Sequence, residues 1–267
     1  MSTIKSMPLW KWVLLLVAGL LLSMLLYGFS GLGYSVTGWQ GWILSGSIAS
    51  GMLGLYALFV RWFERHWPQD LLMRKFIPQT VLGLVIGFLF FVFVAGVLML
   101  VGVYRIDGYH ADWNALGDAF FWFLLVAVGE EIIFRGVLFK WIDERFGFWW
   151  AIGISGLLFG LVHWMNPGGT LWASIAIAIE AGVLLGAAYK WSGTLWLPIG
   201  IHWAWNFTQG NIFGFAVSGN GAGESLIQAT VEGPAWLTGG AFGAEASVIT
   251  VIAGVLLSLF FLKDRFR

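Results

Sequence analysis

The chain has 267 residues, 59% of them hydrophobic and only 10% charged. Soluble domains carry about 25% charged residues, so this is the composition of an integral membrane protein, and a formal net charge of zero leaves no case for nucleic-acid binding. The absence of Cys excludes disulfides and thiolate metal sites, so only His, Asp, Glu and Asn remain as possible ligands.

A membrane-spanning helix needs roughly 20 mostly apolar residues. Eight stretches qualify, at about 10–29, 42–62, 80–103, 118–140, 148–165, 171–190, 193–209 and 246–262. The first follows Lys5 and Lys11 but is long for a signal sequence and lacks a small-x-small cleavage site, so it reads as a retained helix. With the N-terminus cytoplasmic, the inner segments hold Lys5, Lys11, Arg61, Arg65, Arg74, Lys75, Lys140, Arg145, Lys190, Lys263, Arg265 and Arg267. The outer segments hold only Arg105. The expected fold class is therefore all-α: a polytopic transmembrane bundle of about eight helices with both termini cytoplasmic; the expected location, a bacterial or archaeal cell membrane, is not read from these charges.

Residues 1–114 form three N-terminal helices, 115–210 a core of four, 211–245 a Gly-rich outer loop, and 246–267 a last helix with a basic tail. The loop holds Glu224, Glu232 and Glu245 with no Lys or Arg. It is too long for a simple connection, so it is either disordered or folded over the outer face. Small residues at four-residue spacing, Gly156/Gly160 and Ala178/Gly182/Gly186, are read as packing positions where helix backbones approach closely.

Polar residues within the apolar stretches are the candidates for chemistry. In Gly129-Glu130-Glu131-Ile132-Ile133-Phe134-Arg135, two adjacent acids sit in a spanning segment, where each charge costs at least about 2.5–3.5 kcal/mol. Glu131 and Arg135 are at i, i+4 in the favourable order, which fits a neutralised ion pair holding helices together. Glu130 is rotated about 100° away and has no partner on its own helix. His163, His202 and Asn206 lie within later apolar stretches, the last two at i, i+4, whereas His66 and His110 fall in loops. A carboxylate and an imidazole can hold a water and remove its proton. With Zn²⁺ the same groups become ligands and the ion acidifies the water, while Asn206 with His202 could donate to an oxyanion. Either version hydrolyses a peptide bond inside the bilayer, and spacing does not choose between them. Counted from the inner helix ends, Glu130, His202 and Asn206 come out near mid-membrane, with His163 about 9 Å nearer the outside. Glu180, a further intramembrane acid, either hydrogen-bonds or is protonated within the bundle, or lines a substrate cavity.

Three motifs in order, Glu-Glu-x-x-Phe-Arg at 130–135, Phe-x-x-x-His at 159–163 and His-x-x-x-Asn at 202–206, resemble the CPBP family. It comprises glutamate-dependent CAAX prenyl endopeptidases and bacterial Abi or bacteriocin-processing relatives. Ser192-Gly193-Thr194-Leu195-Trp196-Leu197-Pro198-Ile199 also looks like that family's approach to its last motif, and the likeness covers about 115–210. It implies an intramembrane (metallo)endopeptidase acting on a membrane-associated peptide or protein. Glu130 and His163 would activate water, His202 and Asn206 would complete the site, and Glu131 and Arg135 would support it. Zn or another divalent metal would be held by Glu130, His163 and His202, with Asn206 as a possible ligand; a metal-free, glutamate-dependent mechanism is the alternative. The prenylated substrate is not carried over. Two other readings compete. Gly153-Ile154-Ser155-Gly156 has the form of a rhomboid-type serine motif with His202 as base. Intramembrane acids and histidines also make proton relays, so a transporter, immunity or scaffold protein is the non-catalytic reading.

Overall fold

The computed structural model describes residues 7–28, 31, 33 and 35–263, so Lys5, Arg265 and Arg267 lie outside the described residues. Helices stand at all eight apolar stretches: α1 (Leu9–Gly28), α2 (Gly38–Glu64), α3 (Phe76–Leu100), α4 (Trp113–Glu131), α5 (Lys140–Phe146), α6 (Phe148–His163), α7 (Leu171–Ile177), α8 (Leu184–Ser192), α9 (Trp196–Phe207), the short α10 (Ala235–Thr238) and α11 (Val248–Leu262). By length and apolarity the segments Gly38–Glu64, Met73–Leu100 and Leu171–Ser192 suffice to cross a membrane, and Leu9–Leu25, Phe148–His163 and Val248–Leu262 are shorter apolar helices.

Among the described residues, three π-helical segments interrupt the regular winding. Ile132–Phe139 joins α4 to α5, Ala178–Val183 joins α7 to α8, and Thr208–Ile212 follows α9. The fourth predicted stretch therefore runs on to Phe146 instead of ending near 140, where Gly147 (φ +94°) turns the chain into α6. This corrects the expected depth difference. Sixteen residues separate Glu130 from the turn at Phe146 and fifteen separate Phe148 from His163, so the two come level.

The fold is not wholly helical. Strand β1 (Tyr104–Tyr109) pairs antiparallel with β2 (Ile227–Val231), with an irregularity between Ile106 and Gly108. Both strands lie outside the apolar stretches, where alternating side chains such as Tyr-Arg-Ile-Asp replace continuous hydrophobicity. The sheet ties the Gly-rich segment to the α3–α4 connection, so that segment is folded. The opposite end of the bundle is basic. There Lys140 Nζ meets Glu64 Oε1 at 2.8 Å, Lys190 pairs with Asp143, and Lys75 Nζ donates to Ser192 O at 3.0 Å. Arg145 Nη1 donates to Met7 O, and Trp191 packs on Phe261, so the start of the described chain and the end of α11 share this basic end.

Close backbone approach fixes the helices that carry the polar residues. A Cβ on Gly160 would stand 2.3 Å from Ser174 O, and one on Gly182 2.8 Å from Gly156 Cα, so the predicted small-residue rows pack against each other. On α3 and α9, a Cβ on Gly83 would lie 2.5 Å from Leu197 O and one on Gly200 2.5 Å from Thr80 O. Gly200→Val is therefore expected to force α9 outward and to cost about 1–3 kcal/mol by overpacking. Gly96→Val, on the same α3 with open space around its Cα, should leave stability near wild type. Thermal unfolding of detergent-solubilised variants checks the contrast.

Candidate functional site

Arg135 is at the centre of the buried polar residues. Its side chain is fully buried, and Nη1 donates to Glu131 Oε1 at 2.9 Å while Nη2 donates to Ala181 O and Gly182 O, both at 3.1 Å. The acceptors belong to the second π segment, so one π-wound stretch is held to another through this guanidinium. The Phe159 ring stacks 4.8 Å from Arg135 Cζ. Glu131 Oε1 also faces His202 Nδ1 at 2.9 Å. An ion-paired carboxylate accepts, so this nitrogen of His202 carries the proton. His163 Nδ1 lies 2.6 Å from Phe159 O, and a carbonyl can only accept, which fixes the same tautomer there.

Both imidazoles consequently present Nε2 on their far side, and both point at one atom. Glu130 Oε2 is 3.9 Å from His163 Nε2 and 3.9 Å from His202 Nε2, and it is buried without a hydrogen-bond partner among the described residues. The other oxygen, Oε1, accepts from Tyr27 OH on α1 at 3.4 Å. His163, His202 and Asn206 are all buried and line one small cavity, with room for about one water molecule. Glu130, His163 and His202 thus converge across α4, α6 and α9, and Asn206 joins the two histidines at the cavity.

The donor set is in kind that of a divalent-cation site: one carboxylate oxygen and two imidazole nitrogens, each ring held at its other nitrogen by a carboxylate or carbonyl. Ligand atoms around tetrahedral zinc stand about 3.4 Å apart. The 3.9 Å separations here are wider, and among the described residues no group of three His, Cys, Asp or Glu side chains has metal-holding spacing. At its present spacing the gap is that of a bound water.

The remaining sequence candidates fall elsewhere. Ser155 is buried with an unpartnered Oγ among the described residues, eight residues or about 12 Å along α6 from His163. His66 lies beside Glu64 at the basic end, and His110 is exposed after β1. Glu180 is fully buried with neither carboxylate oxygen hydrogen-bonded among the described residues, against Gly254 of α11.

Two contributors carried no sequence signal. Tyr27 reaches Glu130 from a helix without a motif. Glu245 comes from the segment before α11 to line the cavity of His163, His202 and Asn206. Its Oε2 accepts from Ser218 N at 2.6 Å, and Asn166 Nδ2, just beyond α6, donates to Ser218 O at 2.7 Å. Gln209 Nε2 donates to Ala216 O at 2.6 Å, so residues 216–218 are pinned over the cavity from several sides. Ser218 adopts φ +50°, a left-handed conformation uncommon for serine. Burial pushes the Glu245 carboxyl up to about 7 from 4.5, against the lowering pull of the Ser218 N–H. The folded state thus binds this proton more tightly than the unfolded chain. Its contribution to stability is full below the unfolded value and is lost as pH rises through the folded one. Glu245→Gln should gain in Tm relative to wild type between about pH 5 and about pH 8, as read by thermal unfolding at both values.

Residues 112–208, which span Glu130, His163, His202 and Asn206, match the sequence model of the family described as type II CAAX prenyl endopeptidase Rce1-like. A protein of Bacillus subtilis (strain 168) described as "Uncharacterized protein YpbD" is 33% identical over 79 residues, 30% of this chain and 36% of the relative. The chain thus spans about a third of the length of that curated relative. No solved structure matches. Through residues 112–208 the chain is similar to the Rce1-like family of type II CAAX prenyl endopeptidases.

Proposed function

We propose that this protein is an intramembrane endopeptidase that hydrolyses a peptide bond of a membrane-associated protein or peptide, with a water activated by Glu130 as nucleophile. The observation that carries the reading is Glu130 Oε2, buried, unpartnered and 3.9 Å from both His Nε2 atoms. A water about 2.8 Å from each atom fits those separations. It can donate one proton to Glu130 and the other to an imidazole Nε2, leaving an oxygen lone pair for the scissile carbonyl. Glu130 takes the water's proton as the C–O bond forms. The Asn206 amide can donate to the oxyanion. A proton taken up at His202 Nε2 would make that ring a second donor, with Glu131 on Nδ1 balancing the imidazolium. Collapse breaks the C–N bond, and the proton that Glu130 took from the water passes to the departing amine.

A divalent cation, when bound, would be held by Glu130, His163 and His202, with Asn206 as a possible fourth ligand, and would supply Lewis acidity to the water. In this reading the eight apolar helices are spans, the basic end is cytoplasmic and both termini lie on that side.

The test is cleavage of a single-span peptide by purified protein and by Glu130→Ala, His163→Ala and Ser155→Ala, each with and without chelator. Loss in the first two with Ser155→Ala active is expected. Full activity in Glu130→Ala would sink the proposal, and loss confined to Ser155→Ala would favour a serine nucleophile. Inactivation by chelator, restored by metal, would assign the cation.

A further inference from the structure

Away from the basic end, the two helices that bear Glu130 and Asn206 also contribute to a larger space. Phe123 precedes Glu130 by seven residues, two turns along the same face of α4, and Gly210 and Asn211 follow Asn206 by about one turn. Phe123, Gly210 and Asn211 line a cavity of about 470 Å³ between the start of α2, the first half of α4 and the folded Gly-rich segment. That is the size of a ligand cleft.

Its lining is amphipathic. Trp42 and Phe123 supply apolar wall, Asn211 and Asn220 supply amides, and Asp118 and Glu224 supply carboxylates. Asp118 Oδ1 is held at 2.7 Å by Gly38 N and by Trp42 Nε1, which fixes that acid in the wall. Glu224 is exposed, its backbone carbonyl anchored by Asn211 Nδ2 at 2.7 Å. No Lys or Arg is among the described lining residues. The field extends beyond the cleft. The connections at this end also carry Asp107, Asp112, Glu224 and Glu232 against Arg105 alone, and Arg105 is paired with Asp107 at 3.0 Å.

We propose that the substrate chain reaches Glu130 through this cleft, and that the cleft selects a polypeptide carrying lysine or arginine where it emerges at the sheet end. The proposal rests on the protease reading and adds the side of entry and the chemistry of the substrate. The apolar wall receives the lipid-embedded part of the segment, and the two carboxylates meet its cationic flank. An anionic flank would face uncompensated like charges, a stronger discriminator than the attraction alone.

Binding to the full-length Glu130→Gln protein, measured by fluorescence anisotropy, tests this without requiring turnover. The probes are three single-span peptides identical except for a tri-lysine, tri-serine or tri-glutamate flank at the sheet-end side. Tri-lysine is expected to bind roughly five-fold tighter than tri-serine, and tri-glutamate correspondingly weaker, with the spread shrinking as salt rises. In Asp118→Asn/Glu224→Gln the ratio between flanks should approach one. Because Asp118 also holds the start of α2, Glu224→Lys alone is the second variant, and it should narrow or reverse the ratio. Equal binding of the three peptides by the parent protein, or an unchanged ratio in both variants, overturns the cleft assignment. Cleavage of the tri-serine peptide by wild type reports separately on the protease reading, which stands or falls by its dependence on Glu130.

Discussion

Arg135→Met should destabilise the bundle by about 3–5 kcal/mol, because it leaves Glu131 as a buried charge without its counter-ion. The guanidinium satisfies one carboxylate and two carbonyls at once, and the side chain is completely buried. None of those acceptors can turn to water when the donor is removed. Replacing both partners is different in kind. In Glu131→Gln/Arg135→Met the buried charge is gone, and the new amide oxygen can still accept from His202 Nδ1. Exchange of a buried pair for neutral groups of similar volume is often close to neutral. The double variant should therefore recover much of the stability lost in Arg135→Met, a coupling readable from thermal unfolding and from monodispersity in detergent. If the double variant were as unstable as the sum of its singles, the pair would not be the source of the loss.

That ion pair was readable from helical phase alone, since residues four apart share a face whatever surrounds them. The separation of Glu130 from Glu131 was readable for the same reason, because both sit in the regular part of α4, ahead of the π winding. Depth was not. Placing the fourth helix's end near 140 set Glu130 and His163 at different levels, while the structure continues the winding to Phe146. Lys140-Trp141-Ile142-Asp143-Glu144-Arg145 looks like a cytoplasmic loop by charge, yet Lys140 and Asp143 are paired and the segment stays helical.

The π segments had no local signature, and all three adjoin polar residues of the site region. Such windings are maintained by partners from other helices, as where Arg135 takes the carbonyls of Ala181 and Gly182. Tyr27 and Glu245 were invisible for a related reason. Each is unremarkable within its own segment and becomes significant only through the tertiary contact that brings it to Glu130 or to the cavity. The sheet was missed because its strands are short and 118 positions separate Tyr109 from Ile227.

Glu130→Ala and His202→Ala are each expected to lower turnover by about 10²–10⁴-fold, and the double variant to be little worse than either. The geometry makes the two residues a unit. In the tautomers fixed by Glu131 and Phe159, Glu130 Oε2 and both Nε2 atoms are acceptors, so a water between them is held by its own two protons and by nothing else. Removing Glu130 takes away the base itself, and removing His202 takes away one of the two rings that orient the water's other proton, so in either variant the proton transfer to Glu130 loses its direction. Once direction is lost, deleting a second acceptor has little left to remove, so the losses do not multiply. A purely structural role for His202 predicts the opposite pattern, with independent and additive losses that track falling Tm. Single-turnover rates on a saturating peptide, measured beside thermal unfolding of the same samples, separate the two. Non-additive rates at constant Tm would assign Glu130 and His202 to one chemical step, and additive rates would divide them.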